Sequence, residues 1–247
     1  MEAHQTGHKT EGEQTMLKPT KAMVIVAHPD DADYLTSGLV SQWTRGGIEV
    51  TYAIVTNGDK GSEDPNESAE ELARTRRAEQ ERAAATLGVA RVLFLEYEDG
   101  VLEPTLGLRR DLTRVIRKWQ PEIVVTFDPE TRFMTDTYPN HPDHRATGDA
   151  TVDAIFPSAR DRLTFPELLE EGLEPHKVRE VWLVATGSPN HWIDVEPVFE
   201  RKLTALKEHT SQVDANSVNE ELVQWSKKWA EGGPYELAEG YRRIVLD

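Results

Sequence analysis

Short apolar runs alternate along the chain with longer amphipathic stretches. MVIVA (23–27) is continuously apolar, as a strand covered on both faces should be. VTYAIVT (50–56), RVLFL (91–95) and EIVVTF (122–127) repeat the pattern, and EVWLVAT (180–186) adds a fifth strand. Helix-length segments separate them. Residues 31–45 form the first, and ESAEELARTRRAEQERAAATLG (67–88) the second, closed by Gly88 as a natural residue beyond a helix end. In the third, Leu108, Leu112, Val115, Ile116 and Trp119 share one face before Pro121 stops the helix. Pro142 opens a fourth, running to about residue 155.

This alternation predicts a three-layer α/β fold with a mostly parallel central sheet and right-handed crossovers. The proline-punctuated stretch 157–179 reads as an excursion over one edge of the site. Residues 197–247 read as helix-rich, with no linker setting them apart. The polar residues 1–19 read as a disordered tail, with His4 and His8 solvated, and 20–247 as a single domain. Ligands in such folds collect at the carboxyl ends of the strands.

Composition narrows the classes. The 247 residues are 38% hydrophobic and 29% charged, suited to one large α/β domain. No apolar run approaches the roughly 20 residues that cross a bilayer, and the N-terminal stretch lacks the apolar core of a secretory signal. There is no cysteine, which excludes disulfides, thiolate metal sites and a cysteine nucleophile, and fits a cytoplasmic enzyme. The net charge of −16 disfavours nucleic acid and anionic membranes as partners.

The chemistry concentrates at two junctions. AHPDD follows the first strand, and NHPDHRATG follows the fourth after a long loop. His28, Asp31 and His144 make a two-histidine, one-carboxylate set suited to Zn²⁺ with a position left for water, and Fe²⁺ accepts similar ligands. Asp30 is then free to take a proton from that water. His141, as a protonated imidazole, is placed to stabilise an oxyanion or to protonate a leaving amine. A dinucleotide site is excluded, because the turn after the first strand is HPDDAD where G-x-G-x-x-G is required. On the second helix Arg76 and Glu79 fall on the apolar face. They form either a mutual ion pair under the site, or Arg76 turns into the pocket to hold a substrate oxygen. Asp128 either orients a ligand histidine from behind or caps its own loop. Asp33 reads as a first-turn carboxylate favoured by the helix dipole, and His176 and His209 as surface or packing residues.

AHPDD, TNGDKG, the R-x-x-E pair Arg76 and Glu79, HPDHRATG and KLTALKEHTSQ (202–212) together resemble the PIG-L/LmbE-like zinc-dependent N-deacetylases, from about residue 22 to the end of the chain. The resemblance implies a Rossmann-like hydrolase that removes acetyl groups from N-acetylglucosamine-type amides by metal-activated water. It implies His28, Asp31 and His144 as metal ligands, Asp30 as general base and His141 as stabiliser of the tetrahedral intermediate. Arg76 would contact substrate, as would Asn140 on the long loop that shapes the pocket in relatives. Two departures stand out: Ala32 replaces a residue that is often Glu, and the loop ETRFMTDTYPN is long. The alternatives are a metal-dependent hydrolase of another bond, such as a mycothiol-conjugate-type amide or a small ester, and a silent metal- or sugar-binding module. Relatives occur as monomers and as homo-oligomers.

Overall fold

The computed structural model describes residues 19–247, so all but the last residue of the expected tail lies outside the described residues. The strands are β1 (Lys21–Val26), β2 (Glu49–Thr56), β3 (Arg91–Tyr97), β4 (Ile123–Phe127), β5 (Phe133–Thr135), β6 (Tyr138–Pro139), β7 (Glu180–Val184), β8 (His191–Asp194) and β9 (Ala238–Val245). The helices are α1 (Asp31–Arg45), α2 (Ala69–Leu87), α3 (Leu106–Trp119), α4 (Pro142–Asp153), α5 (Glu167–Glu170), α6 (Phe199–Leu206) and α7 (Val218–Ala230).

Seven strands form one sheet in the order β3-β2-β1-β4-β7-β9-β8, while β5 and β6 make a small separate hairpin. The first five of that order are parallel; β9 runs antiparallel to both β7 and β8. The expected single α/β domain with a mostly parallel sheet is therefore present. The chain moves outward from β1 through β2 to β3, then returns to place β4 on the other side of β1. The crevice at this reversal, beyond the carboxyl ends of β1 and β4, is where open α/β sheets bind ligands.

The apolar run of β1 shows why the sheet is buried on both sides. Val24 and Val26 pack with Tyr52, Leu39 and Ala83 toward α1 and α2. Met23 and Ile25 point the other way, against Leu108, Leu112 and Ile116 of α3 and Ala150 of α4. Helix ends follow local chemistry. Ser68 and Glu71 form a reciprocal capping box at the start of α2, and Gly88 ends it with φ +72°, a left-handed conformation in which a side chain is strained.

Two expectations change. The helix-rich reading of 197–247 missed β9, which lies inside the sheet between β7 and β8, and it missed β8 just before it. The Glu239 carboxylate on β9 accepts from the Gly38 and Leu39 N–H groups of α1 and pairs with buried Lys202 at 2.6 Å, so this strand is tied into the core by polar contacts that its pattern does not advertise. The 157–179 excursion does not cover the site: no residue of it lines the catalytic cleft. It folds against α3 instead, where buried Arg117 donates to the carbonyls of Ser158, Ala159, Asp161 and Thr164. Helix α1 spans Asp31–Arg45, the range read from the sequence, and leaves Pro29 just outside it.

Candidate active site

The β1 and β4 junctions bring their side chains to one point. His28 Nδ1 lies 3.2 Å from Asp31 Oδ2, His144 Nε2 lies 3.2 Å from Asp31 Oδ1, and the two ring nitrogens are 3.3 Å apart. Each imidazole is held from behind. His144 Nδ1 meets Asn140 Oδ1 at 3.1 Å, and the Asn140 amide is oriented by donating Nδ2–H to the Thr131 carbonyl at 2.8 Å. The proton of neutral His144 therefore sits on Nδ1, leaving the Nε2 lone pair aimed at Asp31. His28 Nε2 faces Asp99 Oδ1 at 3.0 Å and Asp143 Oδ2 at 3.4 Å, which leaves its Nδ1 lone pair aimed at the same place.

Two nitrogen lone pairs and a carboxylate converge on one point, and only positive charge can sit among them. In a tetrahedral shell with bonds of about 2.0–2.1 Å, neighbouring donors stand roughly 3.3 Å apart. The two nitrogens, 3.3 Å apart and each 3.2 Å from one oxygen of the Asp31 carboxylate, suit a small divalent cation on that measure. The imidazoles of His28, His141 and His144 also offer nitrogens within 4.8 Å of one another, and His28, Asp99 and Asp143 offer ligand atoms within the same reach. His141 Nδ1 already accepts the Asp143 backbone N–H at 3.2 Å, so the tighter set that includes Asp31 is the better cradle.

The local backbone makes this convergence. After β1, Asp30 adopts φ +103°, a region that strains any residue with a side chain, typically by about 1–3 kcal/mol. This turn lets His28 and Asp31 face one another, with Asp31 Oδ2 accepting the His28 N–H at 2.7 Å. It also lifts the Asp30 carboxyl into the cleft. Helix α2 braces the turn: Gln80 Oε1 accepts from Asp30 N at 3.0 Å, and Arg76 Nη2 donates to the Pro29 carbonyl at 2.6 Å. At the second junction His141 is the N-cap of α4, and His144 stacks at 4.1 Å on Phe127, the last residue of β4. Gly148 lets α4 lie this close, since a Cβ there would stand 2.6 Å from the Phe127 carbonyl oxygen.

The charges respond to one another. Burial disfavours charge on Asp31, but the adjacent His144 and His28 outweigh it and hold its carboxyl well below the usual range. Burial likewise opposes a charged His28, yet Asp31, Asp143 and Asp99 hold its imidazole well above the ordinary value. The same negative field that draws a proton to His28 would draw a cation. Burial pushes the Asp30 carboxyl up to about 6, with Arg76 pulling it down and Asp31 pushing it further up. Burial, with His28 and His144 nearby, lowers His141, which favours the neutral ring over the expected imidazolium. With Nδ1 accepting from Asp143, neutral His141 carries its proton on Nε2.

Several expected roles change hands. Arg76 is only 4% exposed and does not line the cleft; it holds the Pro29 and Gly58 carbonyls and touches Asp30 Oδ2 at 3.3 Å. Its expected ion pair with Glu79 is absent, because Glu79 accepts from Thr210 Oγ1 and from the N–H and Oγ of Ser211. Asn140 is 3% exposed and its amide is committed to His144 and Thr131, so it orients the His144 ring more than it faces the cleft. Orienting a histidine from behind was one of the two roles open to Asp128. It accepts instead from Thr186 Oγ1 at 2.6 Å and Glu130 N at 3.0 Å, which is the loop-capping alternative. Asp33 and His209 are a fully buried pair at 2.9 Å, with Gln80 donating to the same carboxylate oxygen. Asp99 and Asp143 were not singled out from the sequence. Asp143 lies within HPDH and was open to notice, whereas Asp99 in EYEDG carries no signal beyond its place at a strand's carboxyl end.

A cleft of about 330 Å³ opens over this cluster, lined by Asp30, Asp31, His141 and His144 on one side and by Tyr34, Trp225 and Trp229 on the other. An α/β sheet with paired histidine and carboxylate groups at its topological reversal defines a metal-hydrolase type of centre. Residues 23–155 match the PIG-L family, described as GlcNAc-PI de-N-acetylase, and the chain belongs to that family. It is 35% identical over 192 residues to the diacetylchitobiose deacetylase of Thermococcus kodakarensis, covering 78% of this chain and 70% of the relative. It is 28% identical to a probable N-acetyl-alpha-D-glucosaminyl L-malate deacetylase 2 of Bacillus anthracis, covering 86% and 92%. Among solved structures, the N,N'-diacetylchitobiose deacetylase from Pyrococcus horikoshii, complexed with its inhibitor MPG, superposes with a TM-score of 0.86 at 31% identity, covering 92% of this chain and 85% of that one.

Proposed function

We propose that the protein hydrolyses the acetamide of an N-acetylglucosamine-type sugar, releasing acetate and a free amine. The observation that carries this is the convergence of His28, Asp31 and His144 at 3.2–3.3 Å beside an ionisable Asp30 in an open cleft. Membership of the PIG-L family and the deacetylases it resembles support the substrate class. His28, Asp31 and His144 would hold Zn²⁺, with Fe²⁺ compatible with the same donors. When bound, the ion supplies Lewis acidity that polarises the amide carbonyl and acidifies water.

Asp30 takes the proton of the attacking water. A carboxyl near 6 is ionised at neutral pH while staying basic enough to accept that proton. As the water oxygen bonds to the carbonyl carbon, charge develops on the carbonyl oxygen, and His141 Nε2–H would donate to it. The proton held by Asp30 then passes to the amine nitrogen as the C–N bond breaks. Residues 20–247 act as one catalytic domain, and the absence of cysteine supports a cytoplasmic setting. No helix of the described residues is long and apolar enough to cross a membrane.

The test is acetate release from a panel of N-acetylated sugars by protein reconstituted with Zn²⁺, with a chelated control. Release that vanishes on chelation and returns with the ion is expected. A metal-loaded protein that spares every acetamide but cleaves a mycothiol-conjugate-type amide or an ester would replace this reading. One that binds metal and sugar without turnover would make it a binding module.

A further inference from the structure

No residue of the segment HTSQ (209–212), just beyond α6, lines the cleft, yet each of its four side chains grips an element that carries the site. His209 Nε2 meets Asp33 Oδ2 of α1 at 2.9 Å. Thr210 Oγ1 and Ser211 Oγ donate to the Glu79 carboxylate of α2 at 2.8 and 2.7 Å. Gln212 Nε2 donates to the Gly61 carbonyl, in the loop after β2, at 3.1 Å. Four consecutive residues thus clamp α1, α2 and that loop to one another. The clamp is dry: Glu79 is 1% exposed, and Asp33, Gln80 and His209 are wholly buried.

One arm of the clamp runs on to Asp30. Gln80 Nε2–H donates to Asp33 Oδ2 at 2.7 Å, while Gln80 Oε1 accepts the Asp30 N–H at 3.0 Å. This amide has one orientation, since turning it over would face its oxygen to a carboxylate and its N–H to another N–H. The Asp33 oxygen accepts, so His209 carries its proton on Nε2. The His209 Nδ1 has no partner among the described residues, which leaves Asp33 as the one polar tie of that side chain. His209, Asp33, Gln80 and Asp30 therefore form a single line of directed hydrogen bonds, from the end of α6 to the strained turn after β1.

Folding stability gives little reason for such a line. A buried charged pair is often replaced by apolar residues of similar volume at no cost to stability. What the line supplies is geometry. Asp30 holds φ +103°, a conformation that persists only where its neighbours over-determine it. Its carbonyl is fixed by the Asp33 and Tyr34 N–H groups of α1, both at 2.9 Å. Its own N–H is fixed, among the described residues, by Gln80 alone. A Gln80 amide free to turn would release that side of the residue, and with it the direction of the carboxyl.

We infer that Asp33, Gln80 and His209 are positioning residues for Asp30: His209 fixes Asp33, Asp33 fixes the Gln80 amide, and Gln80 holds the Asp30 N–H so that the carboxyl points into the cleft. This rests on Asp30 as the base of the proposed deacetylation. None of the three touches substrate.

The experiment follows kcat, KM, zinc stoichiometry and hydrogen exchange at the Asp30 amide in His209→Leu, His209→Gln and Gln80→Met. With an N-acetylglucosaminide, His209→Leu and Gln80→Met should each lower kcat roughly 10–100-fold, the cost of a misplaced base. KM and zinc stoichiometry should stay within about twofold. His209→Gln, whose amide N–H reaches toward Asp33 as Nε2–H does, should restore most of the lost kcat. The double variant His209→Leu/Gln80→Met should lose no more than Gln80→Met, and neither change should cost anything further in an Asp30→Ala background. The Asp30 amide should exchange roughly tenfold faster in both variants. Losses carried by KM or by zinc content, losses that add, or losses undiminished in Asp30→Ala overturn the inference. Gln80→Met leaves the Asp33–His209 pair in place and carries the test if His209→Leu does not fold. If the wild type releases no acetate, or Asp30→Ala is fully active, the reading of Asp30 as base fails on its own. Exchange at Asp30 then decides the positioning: faster exchange in the variants supports it, and unchanged exchange removes it.

Discussion

His28-Pro29-Asp30-Asp31 and His141-Pro142-Asp143-His144 begin with the same three residues and do different work. At the second junction α4 starts at the proline, so His141 caps the helix and Asp143 turns inward to brace His28. At the first, α1 does not start until Asp31. The delay places Asp30 at φ +103° with its carboxyl in the cleft, and turns His28 inward as a donor. In both, the fourth residue faces the metal cradle. The tripeptide does not assign its own chemistry; the point at which the helix begins does. Arg76 and Gln80, which hold Pro29 and Asp30, are what keep the first start late, and α4 needs no such brace because its cap is local.

The sharpest way to break this comparison is to substitute the third residue of each motif. Asp30→Ala should lower kcat by roughly 10²–10⁴-fold while zinc stoichiometry, read by atomic absorption, stays at the wild-type level. Asp143→Ala should instead weaken zinc binding by roughly 10–100-fold, because it removes a carboxylate behind His28. Equal effects on metal content would erase the distinction. Next in size, Asn140→Ala should weaken zinc binding by a similar roughly 10–100-fold, while Asp128→Ala leaves it within about twofold, measured by competition with a chromogenic chelator.

A subtler effect sharpens the role of the brace. Arg76 pulls the Asp30 carboxyl down, so Arg76→Met should raise its pKa. With Asp30 as the proposed base, activity would require it ionised and would fall as pH drops through that pKa. The acid limb of the kcat/KM profile should therefore move to higher pH, by roughly one unit. A limb that stays in place would separate Arg76 from the base. Smallest of all, zinc uptake should be weaker at pH 5 than at pH 7. The raised His28 holds a proton that the ion must displace, and proton release on binding, followed in weakly buffered solution, measures it.

Much of this architecture was legible beforehand. MVIVA is buried on both faces as its unbroken apolar run demands, and Gly88 ends α2 in the left-handed conformation expected of it. His28, Asp31 and His144 lie together because strand ends in a parallel sheet share one rim. What escaped was long-range. Arg76 and Glu79 on an apolar face suggested each other as partners, but Glu79 is satisfied 131 residues away by Thr210 and Ser211. His209 and Asp33 pair across 176 residues in full burial. The exchange of roles between Asn140 and Asp128 turned on which way a loop folds back, which no periodicity encodes. β9 was hidden because half its inward groups are polar and meet buried partners, so it did not read as an apolar run.

The depth at which His144 enters the site is set by something a turn below it. Phe127 stacks on its ring, and the carbonyl of that same phenylalanine rests where a side chain on Gly148 would have to be. The helix and the strand are thus gauged against each other by a missing methyl group. Adding that methyl would wedge α4 outward and lengthen the reach of one donor while leaving every polar atom in place. On the proposed ligand set, ion preference would then be retuned from underneath, at a position that holds no charge, makes no hydrogen bond with its side chain and would never meet the ion.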